Sequence, residues 1–216
     1  MVTGASRGIG FAIADRLRQE GVRVLAPDRS YLDLSSSASM DAYLSTLNER
    51  IDILVNNAGI NKLSSGQEVT DADLYETLQV NLAAPLRLIR ALSPRMVENN
   101  YGRIINISSV WSVVSKQRRV TYSMSKAGLN ALTRSLAVEL APHNVLVNAV
   151  APGFVNTELT SQNNSLEEIE AISRLIPMGR LAEPAEIAEL VFFLCSERNS
   201  YITGQTLLVD GGFSCT

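Results

Sequence analysis

The chain has 216 residues, 46% of them hydrophobic and 19% charged, which is enough apolar material for one sizeable core and typical of a soluble globular protein. A formal charge of −3 gives no reason to expect a nucleic-acid partner. No apolar run approaches the length of a membrane span, and no basic region followed by an apolar one opens the chain, so neither a membrane partner nor a secretory signal is expected.

The elements alternate. Probable strands are Val22–Ala26, Ile53–Asn56, Arg103–Ile107, Val145–Ala149 and Thr206–Val209. Probable helices are Phe11–Gln19, Met40–Arg50, Ala72–Glu98, Tyr122–Ala141, Leu166–Leu175 and Pro184–Leu194. Strands alternating with amphipathic helices predict an α/β fold, a single doubly wound parallel sheet (Rossmann fold) flanked by helices on both faces, with ligand at the carboxyl ends of the strands. No linker or internal repeat divides residues 1–216, so a single domain is expected. The triplet Ser35-Ser36-Ser37 is placed to cap the Met40–Arg50 helix.

Ahead of the first helix stands Thr3-Gly4-Ala5-Ser6-Arg7-Gly8-Ile9-Gly10, with glycines spaced Gly-x-x-x-Gly-x-Gly. Missing Cβ atoms permit a tight strand-to-helix turn, let the backbone approach a pyrophosphate and aim helix N-terminal N–H groups at its charge. An ordinary glycine-rich turn is the competing reading, because only Met1 and Val2 precede it as a strand.

Tyr122-Ser123-Met124-Ser125-Lys126 places a phenol and an ammonium four residues apart, stacked on one helix face. A nearby cation favours the phenolate. A tyrosine acting as acid and base near neutral pH needs a drop of roughly 2 to 3 units, or about 3 to 4 kcal/mol. Taken alone, the pair is also what an exposed helix face would carry. The two cysteines, Cys195 and Cys215, form neither a disulfide framework nor a metal-ligand spacing. Cys195 follows the apolar run Val191–Leu194 and reads as a buried thiol. His143, the single histidine, follows Pro142 at a helix end and reads as a surface residue, so no metal site is expected.

Together these motifs resemble the short-chain dehydrogenase/reductase family, from Thr3 to about Phe213, and in overall pattern its 3-oxoacyl-thioester reductase branch, a look that many sugar, polyol and steroid enzymes share. The matching segments come in the family's order. After the glycine loop come Asn56-Asn57-Ala58-Gly59, Asn81 within Val80–Ala83, and Ser108-Ser109, thirteen residues before Tyr122. Pro152-Gly153 with Thr157 beyond it, and Gly204 to Gly212, complete the set.

The resemblance implies a nicotinamide-dependent oxidoreductase acting on a small-molecule carbonyl or alcohol. Tyr122 would be the general acid and base. Lys126 would lower its pKa and hold the nicotinamide ribose, Ser109 would hold the substrate oxygen, and Asn81 would position a water. The cofactor would lie against Gly4, Ser6, Arg7, Gly8, Ile9 and Gly10, then Asn57, Ala58 and Gly59, and also Pro152, Gly153, Val155 and Thr157. It further implies a cytoplasmic homo-oligomer, dimer or tetramer, assembled through Ala72–Glu98 and Tyr122–Ala141.

Two departures from the family pattern stand out. The opening strand is cut to its last residues, and only six residues separate Ala26 from Asp33, where the family usually inserts a helix. Cofactor choice turns on this region. Asp28, seven residues after Gly21, matches the acid that binds the ribose hydroxyls and repels a 2′-phosphate, which favours NAD. Arg29 and Arg7 could hold that phosphate instead, so NADP remains open. Asp33 matches the adenine-contacting aspartate. Residues 158–180 would form a substrate lid hinged at Ser161-Gln162-Asn163-Asn164. Lys116, Arg118 and Arg119, just before Tyr122, could meet an anionic substrate, form a solvated basic turn or serve a subunit contact. The alternative to an enzyme is a catalytically silent dinucleotide-binding sensor or scaffold of the same fold.

Overall fold

The structure is a computed structural model that describes residues 1–158, 160 and 165–215. Among the described residues, four strands form one parallel sheet: β1 (Ile53–Asn56), β2 (Gly102–Ile107), β3 (Val145–Pro152) and β4 (Thr206–Val209), in that spatial order. Ile53 pairs with Arg103, Gly102 with Val145 and Ala149 with Thr206. All four strands therefore end on the same edge of the sheet.

Side chains alternate across that sheet. Leu54, Ile104, Val145 and Val147 face one core with Met40 of α2 (Ser37–Thr46), Leu88, Ile89, Leu92 and Met96 of α4 (Ala84–Glu98), and Ala137 of α5 (Val120–Leu140). Val55, Ile105, Ile107 and Val150 face the other, packed on Ile13, Ala14 and Leu17 of α1 (Gly8–Gln19). Ile187, Val191 and Leu194 of α7 (Pro184–Cys195) complete that second layer. Helices thus cover both faces, the doubly wound arrangement expected. None of the described helices is long and apolar enough to cross a membrane.

The strand expected at Val22–Ala26 does not form. Val2 donates to the Leu25 carbonyl at 2.9 Å, and Thr3 and Val55 donate to Val55 and Met1 carbonyls at 3.0 and 2.9 Å. Residues 1–3 therefore join the sheet as a stub beside β1, with one isolated bridge, Val2 to Val55. A stub that short offers no ladder for Val22–Ala26, which stays irregular. No helix separates Gly21 from Ser36, in keeping with the shortened connection.

Other boundaries shift modestly. Ser36, within the expected triplet, caps α2 by accepting from Ser39 N at 3.2 Å. The helix stops at Thr46 rather than Arg50, because Leu47 turns extended at φ −79°, ψ 99°. The long helix expected over Ala72–Glu98 is one helical run in three parts. These are α3 (Asp71–Leu78, capped by Thr70), a π-helical segment Gln79–Ala83, and α4. α6 (Leu166–Leu175) matches its expected span and opens on a capping box of Ser165 and Glu168. The hinge proposed at Ser161–Asn164 lies outside the described residues.

Candidate active site

The site grows from the carboxyl edge of the sheet. β2 runs into Ser108 and Ser109, and Ser109 caps the short turn Val110–Ser112 by accepting from Trp111 N at 3.2 Å. Ser112 Oγ donates to the Ser109 carbonyl at 2.5 Å and accepts from Asn130 Nδ2 at 2.8 Å, tying this turn to α5. The opening turns of α5 carry Tyr122 and Lys126 towards the same edge.

A buried polar chain sets the register of α5. Asn56 Nδ2 donates to Asn106 Oδ1 at 2.8 Å, Asn106 Nδ2 to Thr133 Oγ1 at 2.9 Å, and Thr133 Oγ1 to the Leu129 carbonyl at 2.8 Å. These groups are within a few per cent of complete burial, so slippage of α5 would strand polar atoms at about 1–3 kcal/mol each. Sequence reasoning missed this strut; asparagines inside apolar strands were its available signal.

Lys126 is 3% exposed and its ammonium donates to the Ile107 carbonyl at 2.7 Å. Its nitrogen lies 5.7 Å from the centre of the Tyr122 ring. Burial pulls the Lys126 pKa from 10.5 down to about 8. Burial likewise pushes the Tyr122 phenol above its ordinary value, while the Ser109 hydroxyl beside it and the Arg119 guanidinium act in the opposite direction. The expected lowering of Tyr122 by Lys126 is therefore not the dominant effect within the protein alone, because both groups are desolvated together.

Asn81 sits in the π-helical segment, 1% exposed. Its Oδ1 accepts from Ile60 N at 2.9 Å, while Nδ2 donates to the Ile60 carbonyl at 2.9 Å and to Ser125 Oγ at 3.0 Å. Ser125 Oγ in turn donates to the Tyr122 carbonyl at 2.7 Å. Gly59 lies where a side chain would press on both groups: an added Cβ would sit 3.2 Å from Asn81 Oδ1 and 3.4 Å from Lys126 Nζ. Asn81, Ser109, Tyr122 and Lys126 are thus brought together.

The glycine loop is built for close approach. A Cβ on Gly10 would stand 2.3 Å from the Gly4 carbonyl oxygen, and one on Gly4, at φ +64°, 2.9 Å from Ala58 Cα. Gly8, also at positive φ, begins α1, whose first turn carries no acidic residue and whose Arg7 N-cap makes no side-chain cap. Those free N–H groups and their dipole suit a pyrophosphate. Ser6 and Arg7 are exposed on the loop, and Ile9 packs inward on the second core.

Asn57 does more than line this loop. Its Nδ2 donates to Thr3 and Gly4 carbonyls, both at 3.0 Å, while Thr3 Oγ1 accepts from Asn57 and Ala58 N at 3.0 and 3.1 Å. Across the cleft, Pro152 ends β3, and Gly153 passes within 2.8 Å (as a Cβ would) of Asp210 Cα. Val155 bridges Ala182, and the Thr157 methyl lies 3.4 Å from the Cβ position of Gly8.

At the far end, Asp28 Oδ1 accepts from Ser30 N and Oγ at 2.8 and 2.6 Å, which holds its carboxyl below the usual range. Arg29 pairs with Asp33 at 3.4 Å and Arg7 with Glu158 at 3.4 Å. Asp33 also accepts from Ser35 N at 2.9 Å. Both bases that could greet a 2′-phosphate are already beside carboxylates. The uncapped helix end and the glycine cradle fit a nicotinamide dinucleotide.

A family model described as Enoyl-(Acyl carrier protein) reductase matches residues 28–214. The 3-oxoacyl-[acyl-carrier-protein] reductase FabG of Aquifex aeolicus is 40% identical, with 98% of this chain and 95% of that protein covered. That alignment spans 238 positions against 216 residues here, so the relative carries segments this chain lacks. Among solved structures, 4-hydroxyisoleucine dehydrogenase complexed with NADH is 28% identical at a TM-score of 0.94, covering 100% of this chain and 98% of that one. A putative NAD(P) dependent gluconate 5-dehydrogenase from Beutenbergia cavernae, with bound NADP, is 36% identical at 0.93, covering 100% and 96%. The chain belongs to the short-chain dehydrogenase/reductase family of nicotinamide-dependent oxidoreductases.

Proposed function

We propose that this oxidoreductase interconverts a small carbonyl compound and its secondary alcohol, with Tyr122 moving the proton. The observation that carries the reading is the convergence of Tyr122, Ser109, Lys126 and Asn81 at the carboxyl edge of the sheet, beside an uncapped glycine cradle. A silent scaffold would have no need of that convergence.

The nicotinamide, when bound, supplies or accepts the hydride. The protein does the rest. Ser109 Oγ donates to the substrate oxygen and fixes it for transfer. Tyr122 Oη gives its proton to that oxygen in reduction and takes it back in oxidation. Lys126 holds positive charge beside Tyr122, and Asn81 anchors Ile60 and α5 so that the ammonium and phenol keep their spacing. Gly4, Ser6, Arg7, Gly8, Ile9 and Gly10 would hold the pyrophosphate. Asn57, Ala58 and Gly59 would line the ribose side, and Pro152, Gly153, Val155 and Thr157 the nicotinamide side.

NAD is the preferred cofactor on this reading, with Asp28 against the ribose, because Arg7 and Arg29 are engaged by Glu158 and Asp33. NADP binding then requires those pairs to open. Residues 158–180 close over the substrate, α6 being amphipathic and seated on Phe154 and Phe213 through Ile169 and Ile172. Residues 1–216 act as one domain. The protein assembles as a homotetramer, or a dimer, through α3–α4 and α5, whose outer faces expose Tyr75, Leu86 and Val138, and works in the cytoplasm, as the family resemblance implies.

The test is a fluorescence titration with NADH and NADPH, followed by a carbonyl-reduction screen, on wild type and Tyr122→Phe. Saturable binding with NADH preferred is expected for both proteins, and turnover for wild type alone. Turnover by Tyr122→Phe would remove Tyr122 from the mechanism, and no dinucleotide binding would overturn the enzyme reading.

A further inference from the structure

We infer that Arg119 anchors a carboxylate carried by the substrate itself, so that the substrate class is the small oxo acids and hydroxy acids. The inference rests on the oxidoreductase reading above and names the substrate of that site.

The argument starts from the backbone. Arg118 is one of three non-glycine residues at positive φ among those described, at +64°. A long side chain rarely adopts this conformation unless its surroundings hold it there, and such residues gather at functional sites. Here the next residue is held from both sides. Arg119 forms an isolated bridge with Ser64, and its carbonyl accepts from Ser123 N at 2.7 Å as α5 begins. The strained turn therefore sets where the Arg119 side chain goes, three residues before Tyr122.

That side chain goes inward. Arg119 is partly buried, whereas Lys116 and Arg118 are exposed. Its guanidinium carbon stands 5.9 Å from the centre of the Trp111 ring. Trp111 is itself fixed, 8% exposed, with Phe154 and Phe213 edge-on at 5.7 and 5.9 Å between ring centres. Trp111 N is the group that donates to Ser109 Oγ. One residue, Trp111, thus meets Ser109 through its backbone N–H and the guanidinium through its ring.

The charge there is incomplete. Burial lowers the Arg119 pKa, and the opposing influence comes from Tyr122. Among the described residues no carboxylate pairs with Arg119, whereas Arg29 and Arg180 elsewhere in the chain have Asp33 and Glu186. A half-desolvated cation on an aromatic wall is matched by an anion that arrives with the ligand. Trp111 and the Ser109 turn place this guanidinium beside the residue that holds the substrate oxygen, so the anion it fits is one carried by the molecule bearing the reacting carbonyl. The acidic surface of a carrier protein would meet the exposed Lys116 and Arg118 instead. A single planar guanidinium fits the two oxygens of a monoanionic carboxylate.

The test pairs acetoacetate with methyl acetoacetate as substrates for wild type, Arg119→Gln and Arg119→Lys. Wild type should favour the acid by about tenfold or more in kcat/KM, as charged hydrogen bonds allow. Arg119→Gln should collapse that ratio towards one, through KM for the acid, and Arg119→Lys should restore part of it. A wild type that prefers the ester or an acyl-carrier thioester would overturn the proposal, as would a Gln variant that loses both substrates equally. Calorimetric titration with malonate in the presence of NADH reads the anchor without turnover. Malonate binding by wild type and its loss in Arg119→Gln, with NADH still bound, supports the anchor even if no carbonyl is reduced; that pattern would count against the oxidoreductase reading alone. Equal malonate binding by the two proteins, or none by either, sinks the anchor.

Discussion

Lys126→Met should make the protein more stable and inactive at once, and the size of the gain should depend on pH. Lys126 is buried and its pKa falls from 10.5 to about 8 through desolvation. A depressed lysine pKa means that the unfolded chain binds more protons than the folded one between those two values. Stability therefore rises as pH climbs from about 8 to 10.5, and the penalty is fully present below 8. At 1.36 kcal/mol per unit, the penalty is about 3 kcal/mol at pH 7 and about 1 kcal/mol at pH 9.5. Methionine fills the same volume without charge, but leaves the Ile107 carbonyl short of a donor now at 2.7 Å, a loss of about 1 kcal/mol. Urea unfolding at pH 7 should thus place the variant about 2 kcal/mol above wild type, with the gap shrinking to roughly zero at pH 9.5. Carbonyl reduction should be lost at both pH values. A variant less stable than wild type at pH 7, or a gap indifferent to pH, would show that the buried ammonium carries no net penalty.

Gly10→Ala should weaken NADH binding by roughly ten- to a hundredfold, since a clash of this kind costs about 1–3 kcal/mol. The new Cβ would sit 2.3 Å from backbone that cannot rotate away, and fluorescence titration with circular dichroism separates lost affinity from lost fold. Glu158→Gln should free Arg7 and shift preference towards NADPH by only a few-fold, because the exposed pair is worth less than about 1 kcal/mol. Asp28→Ala should raise NADPH affinity relative to NADH in the same titration; an unchanged ratio would remove Asp28 as selector. Its carboxyl is held below the ordinary range by Ser30, so this selectivity should persist on mild acidification.

Much of the fold was legible because apolar periodicity and glycine placement are local signals. The four strands of the sheet and the span of Leu166–Leu175 follow from them directly. Val22–Ala26 carries a convincing strand pattern and still fails to become one, since pairing is a property of two segments and its neighbour is a three-residue stub. The π-helical segment around Asn81 was equally invisible: one extra residue per turn over Gln79–Ala83 leaves the apolar pattern almost intact. Yet it sets the site, because it turns Asn81 onto Ile60 and Ser125.

The same limit explains why the residue roles were harder to read than the residues themselves. Tyr122, Lys126, Ser109 and Asn81 are visible as a spaced set, but their electrostatics depend on burial that no spacing reveals. Tyr122 and Lys126 sit in one desolvated pocket, so each loses some of its charged form, and the cation that acts on the phenol within the protein is Arg119. Arg119 reads in sequence as the end of a basic turn with Lys116 and Arg118. Only the positive φ of Arg118 and the bridge to Ser64 separate it from them, turning one charge of three onto Trp111. Ahead of Tyr122, Arg118 turns the backbone at positive φ, and on the proposal above that turn is what aims Arg119 at the substrate.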